Sequence, residues 1–454
     1  MATSRQRGGR TVSTNGRTRS PRGEQNAAPS PGPQSIRSAL TVFAVPNYRR
    51  FVGGQSISLI GSWAETVALA LLVLKLTDSA TVLGLVMGTR YLPVLLGTAY
   101  AGVIVDRHDK RRVLMLSSSA LGVTSLAIGA SVLAHTIALW QIFVSAMIFG
   151  VMTCLDNPAR MALIPELVGR AMLRQAVTTN SILANVGRAV GPAIAAALIH
   201  TFGLGWCFVF NALSFALVVI ALLALNTDAL RPSAAVARAG RQLRDGLAVA
   251  RGNRDILGPL VMMVFVGTLT YEFETSLPIF AEQTLRGGID AYSWLTTSFG
   301  IGSIAAGLVL IRWPQTGLAR MIYAAGGFGT AMALLTASPT LAAAIAAAGL
   351  VGAASIGFLT TGNATIQLAA PPQMRGRVTA LWTTAFVGST PVGAVLIGMV
   401  AHSYGGRAAL GIGIAGCCAA ICAGLLIHRA LPVPIPQLFD SDNHTTDTTT
   451  DKHA

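Results

Sequence analysis

Charged side chains are scarce in this chain. Only 11% of its 454 residues are Asp, Glu, Lys or Arg, whereas 52% are hydrophobic. With this composition, a water-soluble protein of the same length would not have enough polar side chains to cover its surface. The mean hydropathy of +0.60 indicates the same excess of apolar residues. Apolar runs of about 20 residues, the length that crosses a bilayer as a helix, recur along the chain. We therefore expect an all-α membrane protein.

The side-chain groupings that most catalytic and metal sites require are also missing. The five cysteines lie in apolar stretches without metal-ligand spacing, so no metal site is predicted. No nucleophile–base pair and no phosphate-binding loop stands out, which argues against an enzyme, a bound cofactor and ATP-driven pumping. A membrane-embedded enzyme and a signalling sensor are the alternatives from other classes.

Twelve apolar segments are recognisable, and each is expected to form one membrane helix. Their approximate spans are 51–74, 80–105, 113–134, 137–159, 178–200, 206–225, 257–281, 291–311, 320–337, 340–362, 378–401 and 408–428.

An internal repeat divides these segments into two halves of six. The stretch "GPAIAAALIHTFG" at 191–203 aligns with "GAVLIGMVAHSYG" at 393–405, in the fifth and eleventh segments. Parallel six-helix repeats around a central cavity are typical of one large class of secondary transporters. The predicted domains are a disordered basic tail (1–44), an N-terminal half (45–225), a linker with an amphipathic helix (226–256), a C-terminal half (257–431) and a second disordered tail (432–454).

The net charge of +15 does not indicate nucleic-acid binding, because the basic residues lie at the helix ends. The even-numbered connections between segments hold 17 lysine and arginine residues, against three in the odd-numbered ones. Basic connections stay on the cytoplasmic side of a membrane. This pattern predicts a multi-pass inner-membrane (plasma-membrane) protein with both termini in the cytoplasm.

The connection between the second and third segments reads "GVIVDRHDKRR". It resembles the signature of the major facilitator superfamily, and further blocks, such as "DNPARMALIPELV" and "MRGRVTALW", are similar to the subgroup of macrolide, multidrug and enterobactin exporters. The resemblance implies a major facilitator fold and a cytoplasmic gate. The gate residues are Gly102, Asp106, Arg107, Lys110, Arg111 and Arg112, together with Asp156 at the end of the fourth segment.

The same resemblance gives the gate a mechanism. In the family, the aspartate at the position of Asp106 meets the N-terminus of helix eleven when the cytoplasmic side is shut. A helix N-terminus attracts an anion. We expect Asp156 to form an ion pair with Lys110 or Arg111. The alternative is a basic loop that only fixes the topology.

The fifth segment carries Gly187, Gly191 and Pro192, which resemble the motif called the antiporter signature. Glycines allow helices to approach closely, and a proline removes one backbone hydrogen bond. The motif favours export; the alternative is an ordinary close helix crossing.

Ionisable residues inside membrane segments are candidates for a functional site. Glu65 and Arg90 lie at similar depths on adjacent helices, so we expect a pair that takes up and releases protons; the alternative is a static structural pair. Arg188, Glu272 and Glu274 are the other proton-coupling or cavity candidates. The fourth segment lacks the arginine that many proton-coupled family members carry there.

These observations predict a secondary active transporter that works by alternating access. Export of amphipathic small molecules such as drugs and macrolide-like compounds, in exchange for protons, is the leading hypothesis. The alternative within the same fold is a siderophore or lysophospholipid transporter. The expected partners are the small-molecule substrate, protons and the lipid bilayer, and a monomer is expected.

Overall fold

The structure, a computed structural model, describes residues 41–230, 242–312, 316–371 and 374–431. Within these ranges the chain forms helices and turns and no β-strand. Twelve helices are long and apolar enough to cross a membrane, as predicted. The predicted tails lie outside the described residues, except that Thr41–Ala44 form a short 3-10 helix with Val42 buried.

Six membrane helices make up each half of the chain. Those of the first half are α1 (Pro46–Thr77), α2 (Ala80–Arg107), α3 (Lys110–Leu133), α4 (Leu139–Gly169), α5 (Ala171–Phe202) and α6 (Gly205–Leu223). Those of the second half are α7 (Arg254–Thr284), α8 (Gly288–Arg312), α9 (Leu318–Ala337), α10 (Leu341–Ala369), α11 (Arg375–Tyr404) and α12 (Gly406–Ala430). A separate helix, Gln242–Arg251, lies in the predicted linker.

The sequence repeat has a counterpart in the backbone. Gly203 ends α5 with φ 97°, and Gly405, its partner in the repeat, ends α11 with φ 83°. Positive φ is a conformation that glycine adopts without a steric penalty. The two halves therefore turn into their sixth helices in the same way.

The helices differ from the expected segments in three places. The connection between the fourth and fifth segments is helical, and only Gly169, with φ 72°, interrupts it. Helix α11 consists of two pieces, Arg375–Val387 and Thr390–Tyr404, and Pro391, at the start of the second piece, has no N–H to continue the ladder. Helix α7 is interrupted between Leu269 and Phe273.

The two ends of the bundle differ in how tightly the halves meet. We call the end with the even-numbered connections the basic end, and the other the opposite end. At the opposite end α2 packs on α11 so closely that a Cβ on Gly84 would lie 2.4 Å from the Ala394 carbonyl oxygen. At the basic end a cavity of about 560 Å³ separates α2 and α4 from α11. The bundle is therefore open toward the basic end.

Candidate functional site

The centre of the bundle holds polar groups around the interruption of α7. The first piece of α7 ends at Leu269, and the next begins at Phe273. Between them, the Tyr271 hydroxyl donates to the Ser355 carbonyl oxygen on α10 at 2.6 Å, and Glu272 is only 3% exposed. The interruption thus brings a carboxylate and a phenol into the interior.

The two halves contact each other here through Tyr91 on α2 and Glu274 on α7. The Tyr91 hydroxyl lies 3.1 and 3.0 Å from the two carboxylate oxygens and donates to them. Arg188 on α5 interacts electrostatically with Glu274, and its guanidinium carbon lies 4.9 Å from the centre of the Trp63 ring. Opposite charges and aromatic faces therefore line the contact between halves.

Aromatic rings surround Tyr271 and extend the site into the second half. Tyr271 makes edge-on contacts with Phe273, Phe328 and Phe386, with ring centroids 5.1 to 6.0 Å apart. Phe328 in turn contacts Phe358. The sequence carries no signal for Phe328, Phe358 or Phe386, because aromatic residues in apolar helices more often face lipid or the core than a cavity.

Glu65 and Arg90, expected to pair, make no ion pair with each other in the described structure. Glu65 Oε2 instead accepts hydrogen bonds from Ser125 on α3, at 2.5 Å, and Asn211 on α6, at 2.6 Å. The Arg90 guanidinium carbon lies 3.6 Å from the centre of the Phe149 ring, and its Nη2 contacts Thr66. The prediction that Glu65 and Arg90 form an ion pair is wrong, because each side chain is held by other neighbours.

Glu65 and Arg90 nevertheless line the same small cavity. It has room for about one water molecule, about 10 Å³. A single water molecule would therefore be enough to fill the space that both side chains line. Asn211 could have been noticed in the sequence, since it is the one amide side chain in the apolar run of α6.

The predicted gate residues lie at the basic end. Gly102 and Asp106, near the end of α2, line the cavity of about 560 Å³ together with Gly376 and Thr379 at the start of α11. This cavity lies between the halves, so the state described is not the shut one. The latch stays a prediction.

The basic cluster of the turn binds its own half of the chain. Lys110 Nζ lies 3.1 Å from Glu166 on α4, and Arg111 donates to the Leu222 and Leu223 carbonyl oxygens at the end of α6. Arg111 therefore occupies the C-terminal carbonyls of α6, where a cation is favoured.

The expected pairing of Asp156 with Lys110 or Arg111 is wrong. Asp156 forms an ion pair with Arg160, one turn along the same helix, and accepts a hydrogen bond from Ser117. Arg160 is nearer than any residue of the turn because positions four apart lie on one helix face. Arg107 and Arg112 are exposed, and the Arg112 backbone N–H donates a hydrogen bond to Asp109, which caps α3.

At the opposite end, α5 and α8 join the halves. His200 Nε2 on α5 lies 2.7 Å from Asp290 Oδ1 on α8. Deeper in the bundle, a Cβ on Gly300 would lie 2.7 Å from the Ala189 Cα. These contacts close the opposite end.

The glycines of the α5 motif face α1. A Cβ on Gly187 would lie 3.0 Å from the Leu59 Cβ, and one on Gly191 would lie 2.4 Å from the Trp63 Cβ. Pro192 is buried beside them. The motif thus places α5 against α1 within one half, and its role in transport is a separate question.

Comparison with known proteins agrees with this architecture. The family described as "Transmembrane secretion effector" matches residues 37–451. The Staphyloferrin A transporter of Staphylococcus aureus is 26% identical over 60% of this chain and 69% of its own. The Enterobactin exporter EntS of Shigella boydii is 24% identical over 77% and 82%, and Macrolide efflux protein A of Streptococcus pyogenes 23% over 57% and 64%.

Solved structures of the same fold are more distant in sequence. A bacterial homologue of the iron transporter ferroportin, in its inward-facing state, superposes with a TM-score of 0.65 at 14% identity, covering 87% of this chain and 99% of that one. The nucleoside transporter NupG superposes with a TM-score of 0.64 at 13% identity, covering 87% and 100%. These likenesses show the fold, and the family match shows the activity class: the chain belongs to the transmembrane secretion effector family of major facilitator transporters and is a transporter rather than an enzyme.

Proposed function

We propose that this transporter exports amphipathic small molecules from the cytoplasm across the inner membrane in exchange for protons. The observation that carries the proposal is the contrast between the two ends: the halves are packed together at the opposite end and separated by a cavity of about 560 Å³ at the basic end. One barrier with one opening is what alternating access requires of a carrier at rest.

The charge pattern supports the direction of the opening. Since the basic connections favour the cytoplasm, the cavity faces the cytoplasm and both termini lie on that side. A substrate then enters from the cytoplasm and reaches the aromatic rings around Tyr271. The relatives named as exporters or efflux proteins support the same direction.

Glu65 is the proposed proton carrier. It is a carboxylate in the middle of α1, and it faces a cavity with room for one water molecule. Ser125 and Asn211 hold the carboxylate without supplying a permanent positive charge. The side chain is therefore free to exchange a proton with that water. We propose the monomer as the transport unit, because a single chain forms both ends of the helix bundle and the polar groups at its centre.

A siderophore is the second candidate substrate. Two relatives carry siderophore names, staphyloferrin and enterobactin, in their descriptions. Arg90 and Arg188 provide the cations that an acidic siderophore would need, whereas Glu274 and the aromatic rings suit a cationic amphiphile such as a macrolide.

Accumulation in inside-out vesicles tests both candidates. We expect a macrolide to accumulate when the vesicle interior is made acidic, and to accumulate weakly without a pH gradient. Accumulation of a siderophore but not of the macrolide would favour the second candidate. If either the macrolide or the siderophore accumulates to the same level with and without the pH gradient, proton exchange is contradicted.

A further inference from the structure

The interruption of α7 leaves a row of backbone oxygens without donors. Thr270 and Tyr271 both direct their N–H groups to the Val266 carbonyl, and the N–H of Phe273 binds the Tyr271 carbonyl. As a result, the carbonyl oxygens of four consecutive residues receive no hydrogen bond within the described structure; they belong to Gly267, Thr268, Leu269 and Thr270. These carbonyls form the negative end of a 16-residue helix.

The Glu272 carboxylate lies beside this row and is itself incomplete. The side chain is 3% exposed; it makes a hydrogen bond with Thr390 on α11, but its Oε1 has no hydrogen-bond partner. A Cβ on Gly393 of α11 would lie 2.0 Å from the Thr268 carbonyl oxygen and 3.0 Å from Glu272 Oε1, so these two oxygens lie no more than the sum of those distances apart. Both oxygens pack beside the backbone of Gly393.

A third oxygen-bearing group near the break also lacks a hydrogen-bond partner. Thr275 is fully buried and its hydroxyl has no partner. Thr275 lies in the first turn of the second helical piece, and Glu272 is the residue that precedes this piece. Buried polar side chains without partners are rare, and two of them beside the free carbonyls of one helix break indicate a missing ligand.

The local charge indicates that the ligand is a cation. The charged neighbour that acts on Glu272 is Glu274, which has the same sign. Arg90 is directed to Thr66 and Phe149, and Arg188 to the Trp63 and Phe299 rings. A buried carboxylate without an opposite charge is costly.

We propose that Glu272, Thr275 and the free carbonyls of the α7 break bind a monovalent cation, Na⁺. A donor set made of oxygen atoms alone suits hard cations, and a single carboxylate matches one positive charge better than the two of Mg²⁺ or Ca²⁺. Interrupted membrane helices bind Na⁺ through the C-terminal carbonyls of the half-helix in other transporter folds. This site goes beyond proton exchange at Glu65 and does not depend on the substrate.

The test is binding of ²²Na⁺ to the purified full-length chain, together with its Tm in NaCl and in choline chloride of equal ionic strength. We expect saturable binding and a Tm rise on the order of 3 °C in NaCl for the wild type. Glu272→Gln should bind ²²Na⁺ at least about 10-fold more weakly and lose the Tm response, since it loses the charged ligand. Glu282→Gln, the same change at an exposed site of α7, should behave as the wild type.

Thr275→Val is the second variant, in case Glu272→Gln does not fold. It preserves side-chain shape and should also weaken ²²Na⁺ binding. The proposal is overturned if the wild type binds no ²²Na⁺, or if both variants bind it as the wild type does. A Tm that depends on pH through Glu272 but not on Na⁺ would overturn it too, because the carboxyl would then take a proton instead. None of these outcomes depends on export, so the two proposals can fail separately.

Discussion

The hydroxyl of Tyr91 on α2 lies 3.0 Å from a carboxylate oxygen of Glu274 on α7, and this hydrogen bond joins the two halves in the middle of the bundle. Hydrogen bonds to charged groups contribute about 1.5–3 kcal/mol. In an alternating-access carrier, a bond of this kind between halves favours the conformation that contains it. The bond therefore helps to hold the conformation that is open toward the basic end.

Tyr91→Phe should shift the carrier away from this conformation. Losing the bond is expected to change the ratio of the two conformations by at least about 10-fold, because about 1.4 kcal/mol corresponds to that factor. Distances between spin labels on α5 and α8 at the opposite end would report the change. Tyr100→Phe, at an exposed tyrosine of α2, is the control. An unchanged distance distribution in Tyr91→Phe would mean that the bond does not select a state.

Covalent closure of the opposite end should stop transport. His200 and Asp290 face each other across the halves, so cysteines at both positions should cross-link in a background without the five native cysteines. We expect transport to fall to background on oxidation and to return on reduction. Each single-cysteine variant should be insensitive to oxidant. Full transport by the cross-linked protein would show that this end does not open.

Asp106→Asn should reach the membrane normally and transport at a strongly reduced rate. The change keeps the shape of the side chain and removes the charge expected to meet the α11 N-terminus when the basic end shuts. Asp228→Asn, an exposed aspartate on the connection that follows α6, is the control. Wild-type transport by both Asp106→Asn and Asp106→Ala would exclude the latch, and loss of the protein from the membrane would indicate a role in topology.

Gly191→Leu should abolish transport and lower the Tm, because α1 leaves no space beside this glycine. A Cβ at 191 would be 2.4 Å from the Trp63 Cβ, and overpacking costs typically about 1–3 kcal/mol. At Gly327 on α9 a Cβ would have nothing within 4 Å, so Gly327→Leu should be tolerated. If both variants have the same Tm and transport rate, α1 and α5 do not pack in the membrane as they do here.

The sequence was sufficient for the number and order of the helices, because an apolar run of bilayer length can satisfy its backbone only as a helix. The motif around Asp106 was likewise enough to place the short turn between α2 and α3. The partner of Glu65 was not predictable, since depth along a helix places Arg90 at the right height but does not say which way each side chain faces. Ser125 and Asn211 come from helices that the linear order does not bring near α1.

The break in α7 was also invisible in the sequence. Pro259 and Pro278 lie inside its helical pieces, not at the interruption, and residues 270–272 contain no glycine or proline. Tertiary contacts set it instead: the Thr270 hydroxyl bonds to the Gly413 carbonyl, and the Tyr271 hydroxyl to that of Ser355. Such contacts between distant segments appear only once the chain is folded.

The most direct test of proton-driven export is substrate movement in inside-out vesicles containing Glu65→Gln. Glutamine keeps the shape of the side chain and the contacts to Ser125 and Asn211 but cannot exchange a proton. We expect this variant to exchange labelled substrate passively at a rate close to wild type and to lose accumulation driven by an acidic vesicle interior, while Glu282→Gln retains both. Accumulation by Glu65→Gln at the wild-type level, under the same pH gradient, would contradict the assignment of the proton to Glu65.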